Sequence, residues 1–178
     1  MDRQRYTIMV FTENVVGMLN RVCGIFSRRK INIESITASE SEIEGIHRYT
    51  IVVSLTEESI RKVVGQLEKQ VEVVKALYHA DDETVYQEIA LYKLKTENMA
   101  HGGQAEKIVR AHHARVLSVE QELTVLKKTG HKEDTQRLFE ELKPFGILEF
   151  VRSGRVSIGK PMQTLSAIIH EMENHFNL

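Results

Sequence analysis

The chain predicts an α+β protein made of two tandem ferredoxin-like βαββαβ domains followed by a C-terminal helix. Three observations predict it. Short β-branched runs alternate with amphipathic helical stripes in the order β-α-β-β-α-β, and the same order then runs a second time. Between the two lies His79-Ala80-Asp81-Asp82-Glu83-Thr84, short, polar and acidic as an inter-domain join should be. The boundary falls near Asp82 and gives domains at 1–80 and 81–178.

Each element has a local reason. Tyr6 to Thr12 is short and rich in β-branched and aromatic residues, so it reads as a strand. From Met18 to Arg29 the residues Leu19, Val22, Cys23 and Phe26 fall at i, i+3, i+4 and i+7, one stripe of a helix. Ile31 to Ala38 and His47 to Leu55 read as two strands joined by a polar turn that contains Gly45. Ile60, Val63, Val64 and Leu67 repeat the helical spacing after Thr56, a suitable cap, and Val71 to Tyr78 closes the first unit. In the second pass Val85 to Lys95 is a strand, and Ala105, Ile108, Val109 and His112 form a stripe after Gly102-Gly103. Arg115 to Glu120 and Glu122 to Lys128 are short strands, Thr135, Leu138, Phe139 and Leu142 mark a helix, and Ile147 to Arg152 is the closing strand. Beyond Gly159-Lys160-Pro161, the residues Leu165, Ile168, Ile169, Met172 and Phe176 signal a last helix.

Composition narrows the function classes. Lys plus Arg (24) nearly cancels Asp plus Glu (25), and the charges are interspersed, which disfavours nucleic acid as a partner. No apolar run reaches the roughly 18 to 20 residues of a membrane span, and Met1-Asp2-Arg3-Gln4-Arg5 leads straight into a strand, so a cytoplasmic protein is expected. Cys23 is single and on a helical stripe, where it reads as a small buried hydrophobe. The eight histidines lack metal-ligand spacing, and no nucleophile with its base, paired carboxylates or Walker loop stands out. No catalytic residue, resident metal or resident cofactor is therefore expected in this chain. His112 reads as a core-edge histidine, and Gly102-Gly103 alone is a weak phosphate signal.

The candidate site is the turn Glu13-Asn14-Val15-Val16-Gly17-Met18-Leu19 before the first helix. Amides at a helix start lack intrahelical partners, and the helix dipole favours a carboxylate there by roughly 0.3 to 1 kcal/mol, up to about 2 if partly buried. Gly17, without Cβ, lets a ligand approach the backbone, and Asn14 offers both donors and an acceptor. The same residues would serve equally as an ordinary cap and turn. Asn32, beside Ile33 at the start of the second strand, is a second candidate, or else a solvent-facing amide or a helix-end cap.

The run Thr12-Glu13-Asn14-Val15-Val16-Gly17-Met18-Leu19-Asn20-Arg21-Val22, with Gly24-Ile25-Phe26-Ser27-Arg28-Arg29 and Asn32-Ile33-Glu34-Ser35-Ile36-Thr37, closely resembles the ACT domain of acetolactate synthase (acetohydroxyacid synthase) small regulatory subunits. Glu88-Ile89-Ala90-Leu91-Tyr92-Lys93-Leu94 and Phe150-Val151-Arg152-Ser153-Gly154-Arg155-Val156 resemble the opening and closing segments of that family's second domain. The resemblance implies a chain without catalysis of its own that forms a homodimer through its ACT domains and activates a separate catalytic large subunit. It also implies feedback inhibition by a branched-chain amino acid, valine before isoleucine or leucine, in branched-chain amino acid biosynthesis. Thiamine diphosphate, magnesium and commonly FAD are then expected only in the catalytic partner. The implied effector site comprises Asn14, Val15, Val16, Gly17, Met18, Leu19, Asn32 and Ile33, with Asn14 and Asn32 as polar contacts and the Gly17 backbone toward the carboxylate. Val15 and Val16 are bulkier than the residues often found in this turn. Arg152 and Arg155 are the basic candidates for contact with the catalytic subunit. The alternative is a stand-alone amino-acid-sensing module acting on another enzyme or on a transcription factor.

Overall fold

The computed structural model describes residues 2–99, 103–161, 167 and 170. The chain divides into two compact units, Met1–Val85 together with Arg155–Leu178, and Tyr86–Gly154. This differs from the division at 1–80 and 81–178 expected from the sequence, because the segment Arg155 to Lys160 packs with the first unit.

The first unit begins with β1 (Gln4–Glu13), α1 (Met18–Arg28), β2 (Ile33–Glu40), β3 (Ile46–Leu55), α2 (Glu57–Leu67) and β4 (Val73–Ala80). Its sheet runs β2-β3-β1-β4, with β1–β3, β1–β4 and β2–β3 all paired antiparallel. In β1, alternation sends Tyr6, Ile8 and Val10 to one face, where they meet Val22, Ile25 and Phe26 of α1 and Ile60, Val63 and Leu67 of α2. Fully burying each such aliphatic or aromatic side chain contributes about 1.5–3 kcal/mol. The opposite face of β1 is buried as well, with Met9 and Phe11 packed by Ile46, Val74 and Leu77. Thr56 caps α2, its hydroxyl accepting from the Ser59 amide, which satisfies one of the free N–H groups at the helix start.

The join of the two units is more ordered than a polar linker. Asp81–Glu83 form one 3-10 turn, and β5 (Thr84–Lys95) starts at once. Arg155 then returns to this corner. The residue is 3% exposed, and its guanidinium donates to Asp81 Oδ1 at 2.6 Å and to Thr7 Oγ1 at 3.2 Å, while its carbonyl accepts from the Thr37 hydroxyl. A short strand, β9 (Val156–Gly159), follows beside the start of β5, with the Lys160 amide donating to Glu83 O at 2.8 Å.

The second unit carries the rest of β5, α3 (Gln104–Ala111), β6 (Arg115–Val119), β7 (Leu123–Gly130), α4 (Lys132–Leu142) and β8 (Ile147–Arg152). The order β6-β7-β5-β8 repeats that of the first sheet. The fold is thus α+β with two ferredoxin-like antiparallel sheets. Ala90, Tyr92, Leu94 and Leu126 form the core with Val109, Leu138 and Leu142. His112, which the spacing placed within a helix, is the C-terminal cap of α3, and its Nε2 lies 2.9 Å from Glu141 Oε1. The Leu165, Ile168, Ile169, Met172 and Phe176 stripe, like His101 and Gly102, lies outside the described residues. Among the described residues no helix is long and apolar enough to cross a membrane.

Tyr92 is fully buried and donates to Thr135 O at 2.6 Å. Burial pushes its hydroxyl up to about 12, against a smaller opposing pull from Arg152. The unfolded chain releases this proton near 10 and the folded chain holds it to about 12. Stability is therefore complete below pH 10 and falls above it, by about 1.4 kcal/mol per pH unit while only the unfolded state is ionised. Ultraviolet difference titration should show one late tyrosinate step that is missing in Tyr92→Phe.

Candidate functional site

The turn between β1 and α1 is held by its neighbours. The Glu13 amide donates to Glu72 O and the Asn14 amide to Gly45 O, each at 2.9 Å, so the turn is tied to both adjacent strand connections. Gly17 precedes the helix at φ +84°, a left-handed conformation that glycine adopts without a Cβ penalty. Its position has open space: a Cβ built there meets nothing within 4 Å.

That left-handed residue sets the phase of the helix. Met18 is 1% exposed and sits in the core, while Leu19, expected on the buried stripe, is 46% exposed. The buried stripe is Met18, Val22, Ile25 and Phe26, so Val22 and Phe26 are as expected while Met18 and Ile25 replace Leu19 and Cys23. Cys23 is half-buried, and desolvation pushes its thiol upward, away from reactivity at neutral pH. The Met18 amide donates to Val15 O at 3.3 Å, and the helical ladder opens with the Arg21 amide on Gly17 O. The amides of Val16, Gly17, Leu19 and Asn20 have no hydrogen-bond partner among the described residues. Val15, Val16 and Leu19 surround them as exposed apolar side chains. The turn thus offers donors for an anion beside an apolar rim.

Arg21 would be the obvious cation for a carboxylate, but it is engaged. Its guanidinium is paired with Glu72, whose carboxyl is held below the usual range first by that hydrogen bond. The arginine braces the start of β4 against α1, a role visible only once Glu72 is placed.

Asn32 and Ile33 lie far from this turn within one chain. Asn32 is exposed just before β2, and Ile33 packs at the edge of the core. Val53 of β3 pairs with Ile33 on one side and Tyr6 on the other, whereas Glu13 pairs with Ile46 at the opposite end of the sheet. The seven residue steps from Tyr6 to Glu13 separate the two places by about 24 Å along the strands. Of the predicted residues, Asn14, Val15, Val16, Gly17 and Leu19 come together, Met18 contributes to the core, and Asn32 with Ile33 stand at the far end. A shallow depression of about 500 Å³ bordered by Gln4, Tyr6, Glu57 and Arg61 also lies away from the turn. Among the described residues no cluster of His, Cys, Asp or Glu could hold a metal.

Residues 8–75 match the AHAS small subunit-like ACT domain, and residues 87–161 match the model for the small subunit of acetolactate synthase. The acetolactate synthase small subunit of Mycobacterium leprae is 35% identical over 87% of this chain and 91% of its own length. The chain belongs to the acetolactate synthase small-subunit family. The acetolactate synthase small subunit of Bacillus subtilis is 33% identical over 84% of this chain and 87% of its own. The crystal structure of the small subunit from Thermotoga maritima, 26% identical, superposes with a TM-score of 0.79 over 88% of this chain and 97% of that one. As a member of the acetolactate synthase small-subunit family, the chain is a non-catalytic subunit.

Of the two basic residues expected to face a partner, Arg155 is internal to this small subunit and Arg152 is engaged within it while partly exposed. Arg152 Nε lies 3.4 Å from Glu88 Oε2 and donates to Thr135 Oγ1 at 3.0 Å, and its guanidinium stacks 5.1 Å from the Phe150 ring centre. Arg155 is buried against Asp81 and Thr7. Arg155 is buried and Arg152 is partly exposed, and each compensates polar groups inside its own unit.

Proposed function

We propose that this small subunit binds a branched-chain amino acid, valine foremost, and couples it to the output of the catalytic subunit of acetolactate synthase, which it also activates. The observation that carries the reading is the turn at Gly17, where four unpartnered amides adjoin exposed Val15 and Leu19. A carboxylate suits the amides and an aliphatic side chain suits the rim.

The register supports a site shared by two copies. β2 is an edge strand parallel to β1, with Asn32 at its lower end and the Gly17 turn at the upper end of the sheet. A two-fold that pairs β2 antiparallel with β2 of a second copy brings the second copy's Asn32 toward this turn. The amide oxygen of that asparagine then accepts from the effector's ammonium group. An effector spanning two chains stabilises the homodimer by mass action, and coupling to the catalytic state amounts to about 1–3 kcal/mol. Thiamine diphosphate, magnesium and FAD belong in this proposal to the catalytic partner, and the complex works in the cytoplasm.

The test is an assay of the purified catalytic subunit with and without this chain across a valine titration. Stimulation together with a new valine sensitivity is expected. No stimulation and no change in sensitivity would overturn the proposal, and valine binding without either effect would favour the stand-alone sensing module.

A further inference from the structure

The first unit carries an unbroken row of charges. Arg5 Nε lies 3.2 Å from Glu34 Oε2 on β2, and Arg5 Nη1 lies 3.6 Å from Asp81 Oδ2. Asp81 in turn accepts from both terminal nitrogens of Arg155, at 2.6 and 3.3 Å. The series Glu34, Arg5, Asp81, Arg155 thus alternates in sign from an edge strand to the 3-10 turn that leads into β5. The Thr37 hydroxyl donates to the Arg155 carbonyl, so β2 meets this clamp at a second point.

A local irregularity brings Glu34 into the row. Ile33 and Ile36 both pack against the core of the first unit, yet they are three residues apart, and a regular strand would send them to opposite faces. The ladder between β2 and β3 slips between Ile33 and Ser35, which leaves Glu34 as the extra residue of a bulge. Bulges re-aim side chains, and this one lets the carboxylate reach Arg5 two strands away, a spacing of about 9.6 Å. The residue of the intervening β3 opposite Arg5 is the small Ser54, which leaves room for the pair to close.

We infer, on the function proposed above, that Arg5 and Glu34 are positioning residues that carry effector occupancy at the Asn32 end of β2 to the Asp81–Arg155 clamp. Glu34 stands two residues beyond Asn32, so a ligand that displaces this end of β2 displaces its carboxylate. Arg5 divides its charge between Glu34 and Asp81, and moving Glu34 shifts that division. With Glu34 drawn away, Arg5 turns wholly to Asp81 and competes with Arg155 for the same two oxygens. With Glu34 drawn closer, those oxygens are left to Arg155. These two arrangements are the two-state element that coupling between distant places requires. The clamp sits where β5 begins, on the strand that takes the chain into the second unit.

The test uses the full chain, alone and with the catalytic subunit. Arg5→Gln is expected to bind labelled valine as the parent does and to stimulate equally, while inhibition at saturating valine falls about two- to fivefold, the range set by a partly exposed ion pair. Arg5→Lys, which keeps the charge, should recover most of the inhibition. Glu34→Gln should reproduce the loss, and the double variant Arg5→Gln, Glu34→Gln should lose no more than either alone, as two residues acting through one contact do. A second readout needs no effector. The Lys160 amide, which donates to Glu83 O beside the clamp, should exchange its hydrogen about two to five times faster in Glu34→Gln than in the parent. Full inhibition in Arg5→Gln, or unaltered Lys160 exchange, would overturn the inference and leave the effector site standing. Loss of valine binding in step with inhibition would also overturn it, as would equal loss of stimulation, the mark of an ordinary structural ion pair. A parent chain that neither binds valine nor responds to it would overturn the proposed function itself, and with it the role of Arg5.

Discussion

Gly17→Asp is expected to abolish feedback inhibition while stimulation of the catalytic subunit survives. The aspartate Cβ has nothing within 4 Å to strike, so the side chain has room, and Asp is among the residues that tolerate a left-handed φ. Its carboxylate then competes for the amides of Val16, Gly17, Leu19 and Asn20 and repels the effector's own. Two like charges about 4 Å apart oppose each other by about 1 kcal/mol in water and about 4 at the effective dielectric of a protein surface, about one to three powers of ten in affinity. Gly17→Ala separates charge from strain. It carries the left-handed penalty of roughly 1–2 kcal/mol without the carboxylate and should keep measurable inhibition. Valine titrations of both variants with the catalytic subunit decide the matter, and equal loss of stimulation and inhibition would assign Gly17 to the fold.

Arg155→Leu is expected to lower the stability of the first unit by about 2–4 kcal/mol, read from the midpoint of denaturant unfolding at an unchanged m-value. The leucine keeps much of the buried stem but leaves the fully buried Thr7 hydroxyl and the Asp81 carboxylate without their main donor. Asp81 remains partly exposed and lies 3.6 Å from Arg5, so the loss falls below that of a sealed ion pair. Asp81→Asn, which retains an acceptor for Arg155, should cost less than half as much. An Arg155→Leu protein as stable as the parent would show that β9 is held by its backbone alone.

Most strands and helices were legible because their apolar residues obey the period of the element. Tyr6, Ile8 and Val10 alternate, and Ile60, Val63, Val64 and Leu67 keep one helical face. The phase of α1 was not legible, since a single left-handed residue at Gly17 rotates Met18 inward and Leu19 outward. β9 escaped for a different reason. Its pattern is inverted, with Val156 and Ile158 exposed while Arg155 and Ser157 are buried, so apolar alternation points to the wrong face. At the site, the glycine turn was readable from local chemistry. The engagement of Arg21 by Glu72 and the separation of Asn32 from Gly17 were not, because both depend on strand register between residues distant in sequence.

The return of Arg155 also sets a schedule for folding during synthesis. The four-stranded sheet of the first unit is complete once Ala80 has been made, yet its clamp joins residues 148 positions apart at Thr7 and 74 apart at Asp81. At about 5–20 residues per second, roughly 4–15 seconds pass before that arginine is added. During this interval Asp81 and the Thr7 hydroxyl wait without it while the intervening chain builds its own sheet. The nascent first unit is thus a less stable intermediate than the finished one, and the last stretch of synthesis locks what the first stretch assembled.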